Sequence, residues 1–296
     1  MSELYPDRRA VERFRWALID ATHREALPAH WPTQVVAPGF LGDDTERCPV
    51  LLDLHAMRSD ERAEWCDALH QETLALQDTR ASLLIAAEAP MGAVATHLAQ
   101  RMVLKLPEHD RPMQWRFFDP GTSLQMPRVL GSDGMAWLMG PVTAFMVPWA
   151  GEWTLIERHR AVGSASTTHA FKLDATQLAA LSRLGVVNRA AMACPMPEGA
   201  QAWTLQGQQL DHYIVQGQQQ GLTQRDDLVA YALKAHHVHP RIHEHPRMRA
   251  LLTLLQKAHP NDELDYRELT AAIAPEDWTA MAAELQTPSF QEETHP

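Results

Sequence analysis

The sequence predicts an α/β N-terminal lobe, with a mixed sheet and flanking helices, followed by an all-α C-terminal lobe. In the first half of the 296-residue chain, short apolar runs alternate with stretches of helical periodicity. From Asp174 onward only the helical periodicity remains, and a stretch of small and polar residues, AVGSASTTH, separates the two halves. We therefore predict an N-terminal lobe over residues 1–160, a linker over 161–173, a helical lobe over 174–287 and a frayed polar tail over 288–296.

The first predicted element is a helix over about Asp7–Arg24, because apolar residues recur there at intervals of three and four. Buried strands are predicted over residues 49–54, 82–86 and 114–118, where short apolar or aromatic runs occur. Two helical patterns separate these strands. Ser59 is the predicted N-cap of the first helix, and Pro90 opens the second.

A pair of helices is predicted over Thr122–Leu130 and Gly134–Met139, directly after Asp119-Pro120. Two apolar runs then flank the glycine-containing segment 148–152, which predicts a β-hairpin. The remaining predicted helices each carry an apolar stripe at helical spacing. They include residues 178–184, 210–221, 228–235, 248–255, 262–273 and 275–285.

The charge balance argues against a nucleic-acid-binding or membrane-surface protein. Lys and Arg total 26 against 37 Asp and Glu, which gives a net charge of −11, whereas both surfaces require a basic footprint. The three cysteines have no disulfide or metal spacing and are predicted to be reduced thiols. Neither a secretory signal nor a run of about 18 apolar residues is visible, so we expect a cytoplasmic protein.

The segment His236–His245 contains five imidazoles in ten residues, a composition that can bind metal. Pro240 lies between His239 and His243, however, and disfavours the continuous helix that would align them. No HExxH frame is present. We predict a solvated connection between helices, with no metal ligand and no cofactor. A metal-dependent hydrolase that uses this segment remains the alternative.

Two further patterns suggest nucleophilic catalysis, and each also has a structural interpretation. Cys66 and His70 are four residues apart on a predicted helix, but Cys66 lies beside Trp65 and Leu69, which favours a buried structural thiol. The segment 163–166, GSAS, lacks the second glycine of a nucleophile elbow. No catalytic residue is predicted, and the chain is not expected to be an enzyme.

Four residues are candidates for a partner-binding surface. Asp119 precedes a proline and is predicted to cap the following helix, while Arg116 is close enough to pair with its carboxylate. The structural interpretation is a cap with a salt bridge, and the functional one is an edge that contacts a partner. Trp149 and Trp153 flank the hairpin turn, so one of them is expected to be exposed.

Five phrases within about residues 10–160 carry a resemblance to the domain of unknown function 4123 family. They share the order and spacing of the family's phrases, and they are Ala17-Leu-Ile-Asp-Ala21, Cys48–Leu54, His97–Pro107, Trp115–Pro120 and Leu138–Val142. The phrase Trp115–Pro120 resembles the family's FRFYDPR most closely, although Gly121 stands where that phrase has its second arginine.

The resemblance implies a non-enzymatic adaptor chaperone of the bacterial type VI secretion system. Such a protein binds a toxic effector in the cytoplasm, keeps it soluble and loads it onto the VgrG spike. The expected partners are therefore the cognate effector and VgrG, with no nucleic acid or membrane. A structural component of the secretion spike is a further alternative.

Overall fold

The structure, a computed structural model, describes residues 12–42, 44–75, 79–105, 112–158, 172–257 and 264–287. The chain forms two compact units. Unit 1 comprises Met1–Leu181 and Pro197–Thr204, and unit 2 comprises Ser182–Met196 and Leu205–Pro296. Most of the predicted linker, residues 161–171, lies outside the described residues, and so does the predicted tail.

Unit 1 is built on a six-stranded sheet with the strand order β2-β3-β1-β4-β7-β8. Its strands are β1 (Trp16–Ile19), β2 (Thr33–Val35), β3 (Val50–Asp53), β4 (Leu83–Ala87), β7 (Val142–Trp149) and β8 (Glu152–Glu157). Every pairing in it is antiparallel, where the sequence led us to expect a mixed sheet. A separate two-stranded ribbon joins β5 (Val103–Leu104) to β6 (Met113–Gln114).

The helices of unit 1 occupy the connections between these strands. They are α1 (Ala21–Arg24), α2 (Ser59–Leu74), α3 (Met91–Arg101) and α4 (Pro120–Met139), with a 3₁₀ turn at Gly39–Leu41. A sheet with helices in the N-terminal region, followed by a helical C-terminal region, confirms the predicted fold class. Helix α4 is interrupted at Gly131, whose φ of 65° breaks it into the two predicted segments.

The predicted first helix is wrong within the described residues. Residues 16–19 form β1, a central strand that pairs with both β3 and β4. All four of its side chains are buried, as in a strand that is covered on both faces. The helical spacing was a coincidence of this continuous apolar run, and only the single turn of α1 follows it.

One face of α2 and part of the β7–β8 hairpin pack with other sheet residues in a single hydrophobic core. Trp65, Cys66 and Leu69 pack with sheet residues such as Leu52 and Met146. Cys66 is therefore a buried core thiol, as predicted. The predicted strand over 114–118 is shorter than expected, because Phe117 and Phe118 lie in a turn and are buried there.

Unit 2 is helical. The helices of the C-terminal region are α5 (Ala175–Met192), α6 (Gly199–Gln219), α7 (Arg225–His237), α8 (Pro246–Lys257), α9 (Tyr266–Ala271) and α10 (Pro275–Gln286), with a 3₁₀ turn at Ile242–Glu244. Within unit 2, Arg183 pairs with Asp211 at 2.7 Å. Asp227 accepts a hydrogen bond from the backbone N–H of Arg267 at 3.0 Å, next to the start of α9. Among the described helices, none combines the length and the hydrophobicity that crossing a lipid bilayer requires.

The two compact units divide within α5 and α6, and not in the stretch 161–173. The reason is that the first turns of both helices pack on α4. The Gln177 amide donates to the carbonyl of Leu130 at 2.8 Å. The indole N–H of Trp203 donates to the carbonyl of Gly121 at 2.9 Å.

Candidate functional site

The guanidinium of Arg116 bridges two carboxylates. It donates to Asp20 at 2.5 Å and to Asp119 at 2.7 Å, and it lies 4.9 Å from the centre of the Phe118 ring. Asp20 is 96 residues away from Arg116 in sequence. The side chains of Arg116 and Asp119 are 44% and 39% exposed, whereas that of Asp20 is 11% exposed. The cluster is thus anchored on a nearly buried carboxylate and presents its other two groups to solvent.

Asp20 is placed at the end of β1, where it also caps α1. One carboxylate oxygen accepts hydrogen bonds from the backbone N–H and the hydroxyl of Thr22, both at 2.9 Å. Partial burial favours a higher pKa, but the hydrogen bonds from Thr22 and Arg116 outweigh it and lower the pKa of Asp20. The carboxylate is therefore held ionised beside the guanidinium at neutral pH.

Asp119 occupies the N-cap position of α4, but its side chain makes no capping hydrogen bond. The prediction of a side-chain cap is therefore wrong, while the predicted pairing with Arg116 is present. The physical reason is competition, since the charge-assisted hydrogen bonds from the guanidinium are together stronger than one from a backbone amide. Pro120 at the first helical position already removes one of the free N–H groups.

Two indole rings pack against each other at the beginning of α4. The rings of Trp149 and Trp203 lie 4.3 Å apart, centre to centre, at an interplanar angle of 45°. A Cβ atom at Gly121 would approach Trp203 to 3.0 Å and Trp149 to 3.3 Å. A glycine at this position therefore lets both rings approach the helix, and a larger side chain would separate them. Trp149 is half-buried, whereas Trp203 is buried.

Trp153 does not belong to this surface. Its side chain is 1% exposed and packs in the core of the sheet, where Trp153 is the register partner of Pro148. The alternation along β8 turns Trp153 towards the core, so it is removed from the candidate partner contacts. The surface then consists of Arg116, Asp119 and Trp149, all within or beside the start of α4. We call these three residues the α4-start surface.

The histidine segment comprises the last two residues of α7 and the connection from α7 to α8. His239 and His245 each accept a hydrogen bond through Nδ1 from the backbone N–H two residues later, at 3.2 Å. His245 is buried and its Nε2 lies 2.9 Å from the carboxylate of Glu284. Part of the segment is therefore built into the helical packing and is not solvated as predicted. Residues 163–166 lie outside the described residues.

Asp20 and Trp203 complete this site, and our sequence reasoning singled out neither of them. The signal for Asp20 was an acidic residue at the end of an apolar run, two residues before a threonine. Trp203 had no comparable signal, because its contact with Gly121 joins residues 82 positions apart. Comparisons of the chain with protein-family models, with curated proteins and with solved structures find no match.

Replacing Arg116 by alanine should destabilise the fold by about 1–3 kcal/mol at pH 7, because it leaves the nearly buried Asp20 without its cation. The folded-state pKa of Asp20 lies below its ordinary value of 3.8, so its stabilising effect is present above that pH and is lost as the pH falls through the lowered pKa. Urea unfolding at pH 6 and pH 3 should show a larger loss of stability for the wild type than for Arg116→Ala.

The matched control is Arg58→Ala, which removes an exposed arginine that pairs with exposed Asp60. We expect no measurable change in stability at either pH, since exposed ion pairs contribute little. An equal pH dependence in wild type and Arg116→Ala would contradict the role of Arg116 in lowering the pKa of Asp20.

Proposed function

We propose that this chain is a cytoplasmic adaptor that binds a type VI secretion effector, keeps it soluble and loads it onto the VgrG spike. One observation carries the proposal. Asp20 belongs to the phrase Ala17-Leu-Ile-Asp-Ala21 and Arg116 to the phrase Trp115–Pro120, and these two side chains form an ion pair. Two of the separate phrases on which the family resemblance rests therefore meet at one place in the fold.

The composition of the α4-start surface supports a role in recognition. Arginine and tryptophan are the residue types most enriched among the energetically dominant contacts of protein interfaces. Arg116 and Asp119 present one charge of each sign, and Trp149 adds a partly accessible indole. Asp20 pairs with Arg116, and Trp203 packs against Trp149, so both side chains are already ordered. Little side-chain entropy would therefore be lost when a partner binds.

The charge of the chain suggests the electrostatics of the cargo. A net charge of −11 favours association with a basic patch on the effector. In that case the association rate should fall as the salt concentration rises, while an apolar contact would be insensitive to salt. The adaptor would then discriminate between related effectors because the wrong effector would bring acidic groups against its own acidic groups, and this repulsion would weaken binding.

The test is deletion of the gene in the bacterium that encodes it, followed by quantitative mass spectrometry of the secreted proteins. We expect one effector to disappear from the medium while the components of the secretion machine are still released. Expression of the wild-type chain should restore that effector. Continued secretion of every effector would overturn the proposal, and loss of the machine components would favour the structural alternative.

Complementation with point variants connects this result to the α4-start surface. Trp149→Ala and Asp119→Ala should restore the effector incompletely, and Arg58→Ala should restore it fully. The melting temperature of each purified variant separates loss of recognition from loss of folding. If all three variants complement equally, the partner contacts another surface.

A further inference from the structure

The structure brings together three metal-ligating side chains that are far apart in the sequence. Cys194, His236 and His237 each offer one ligand atom, and these three atoms all lie within 4.8 Å of one another. Cys194 follows the end of α5, and the two histidines are the last residues of α7. All three belong to unit 2. We propose that they form a binding site for a zinc ion.

The donor set fits zinc better than a hard cation. One thiolate and two imidazoles are borderline-soft ligands, whereas magnesium and calcium require oxygen. With the usual zinc–sulfur and zinc–nitrogen bond lengths, the donors of a tetrahedral site are about 3.3–3.6 Å apart. Since no two of these atoms are more than 4.8 Å apart, zinc binding requires each pair to approach by at most about 1.5 Å. Three protein ligands leave the fourth position for water or another ligand.

The backbone around the group is held in place before any ion binds. The N–H groups of Ala193 and Cys194 donate to the carbonyls of Ala190 and Ala191, both at 3.1 Å, which fixes the turn after α5. The N–H of Val238 donates to the carbonyl of Lys234 at 2.9 Å, which closes the last turn of α7. The carboxyl end of a helix carries partial negative charge, so a cation is favoured there.

A second, independent observation concerns His236. Its Nδ1 atom is buried and has no hydrogen-bond partner among the described residues. A buried polar atom without a partner is uncommon and costly in a folded protein. Coordination of a metal ion through Nδ1 would give this atom a partner.

Two of these ligands, His236 and His237, belong to the segment His236–His245, in which the sequence predicted no metal ligand. His239 and His243, the pair four residues apart in that segment, are not in this group. The ion would join the turn after α5 to the end of α7, inside unit 2. The role that follows from this position is to tie the two segments together, and it does not depend on the proposed function of the chain.

The experiment uses untagged, full-length protein from which metal has been removed by dialysis against a chelator. Cobalt(II) is added as a spectroscopic probe and is then displaced by zinc. We expect one ion per chain, a charge-transfer absorption from thiolate to cobalt, and a rise in melting temperature with zinc. Cys194→Ser should abolish the charge-transfer band. His237→Ala should weaken zinc binding by at least the roughly 10–100-fold that loss of a supporting residue usually costs.

His237 is exposed, so His237→Ala leaves no cavity and its result does not depend on whether Cys194→Ser folds. The matched control is His239→Ala, which removes an imidazole two residues further on and should bind zinc like the wild type. Absence of stoichiometric zinc binding would overturn the proposal. It would also be overturned if His237→Ala bound zinc as tightly as the wild type, or if His239→Ala lost as much affinity.

Discussion

Replacing Trp153 by alanine is expected to lower the free energy of unfolding by about 3–5 kcal/mol, the range typical of a large aromatic side chain removed from a core. Trp153 is almost completely buried and packs with Trp65 and Met146 in the core of unit 1. Its loss leaves a cavity that the surrounding strands cannot fill, because each is held by its neighbours in the sheet. Urea denaturation followed by circular dichroism measures the change.

Trp153→Phe is the matched control. The indole N–H of Trp153 is buried without a hydrogen-bond partner among the described residues, so the phenyl ring loses volume but no hydrogen bond. We expect a cost of about 1–2 kcal/mol, clearly less than for Trp153→Ala, because most of the aromatic volume is kept. A small effect of Trp153→Ala on stability, combined with loss of partner binding, would indicate that Trp153 contacts the partner, as the sequence first suggested.

Gly140→Ala is expected to cost about 2–6 kcal/mol, from two separate causes. Gly140 ends α4 with a φ of 53° and a ψ of −110°, a backbone conformation that favours glycine and costs an alanine about 1–3 kcal/mol. An added Cβ would also overlap the imidazole of His97, whose Nε2 lies 2.8 Å from the carbonyl of Leu138. Either the ring moves and this contact is lost, or the end of the helix moves.

A double-mutant cycle separates the two causes. In a His97→Ala background the overlap is absent, and Gly140→Ala should then cost only the roughly 1–3 kcal/mol of the strained backbone. The difference between the two backgrounds measures the steric contribution of His97. An identical cost in both would show that the backbone conformation alone requires glycine here.

Much of the fold could be predicted from local pattern. The hairpin of β7 and β8, the break in α4 at Gly131 and the helices of the C-terminal region all follow periodicity or glycine placement. Residues 16–19 could not be assigned in this way. A short apolar run satisfies the spacing of a helix and that of a buried strand equally well, and only its two neighbours in the sheet decide between them.

The candidate site was predictable to a smaller extent. The sequence indicated Arg116, Asp119 and Trp149, and the pairing of Arg116 with Asp119 required only three residues of local chain. It did not indicate that Asp20 would share the guanidinium, and it predicted a capping hydrogen bond from the side chain of Asp119 that is absent. The side chain of Asp20 caps α1, whereas the side chain of Asp119 pairs with Arg116 and does not cap α4.

The fold class, the acidic charge and most of the helices and turns could thus be predicted from the sequence. These properties depend on composition and on backbone preferences within a few residues. Which side chains meet, as with Arg116 and Asp20 or Cys194 and His236, became visible only in three dimensions. Such contacts are set by the register of the sheet and by the packing of helices. The sequence around each residue does not indicate which distant residue it will contact.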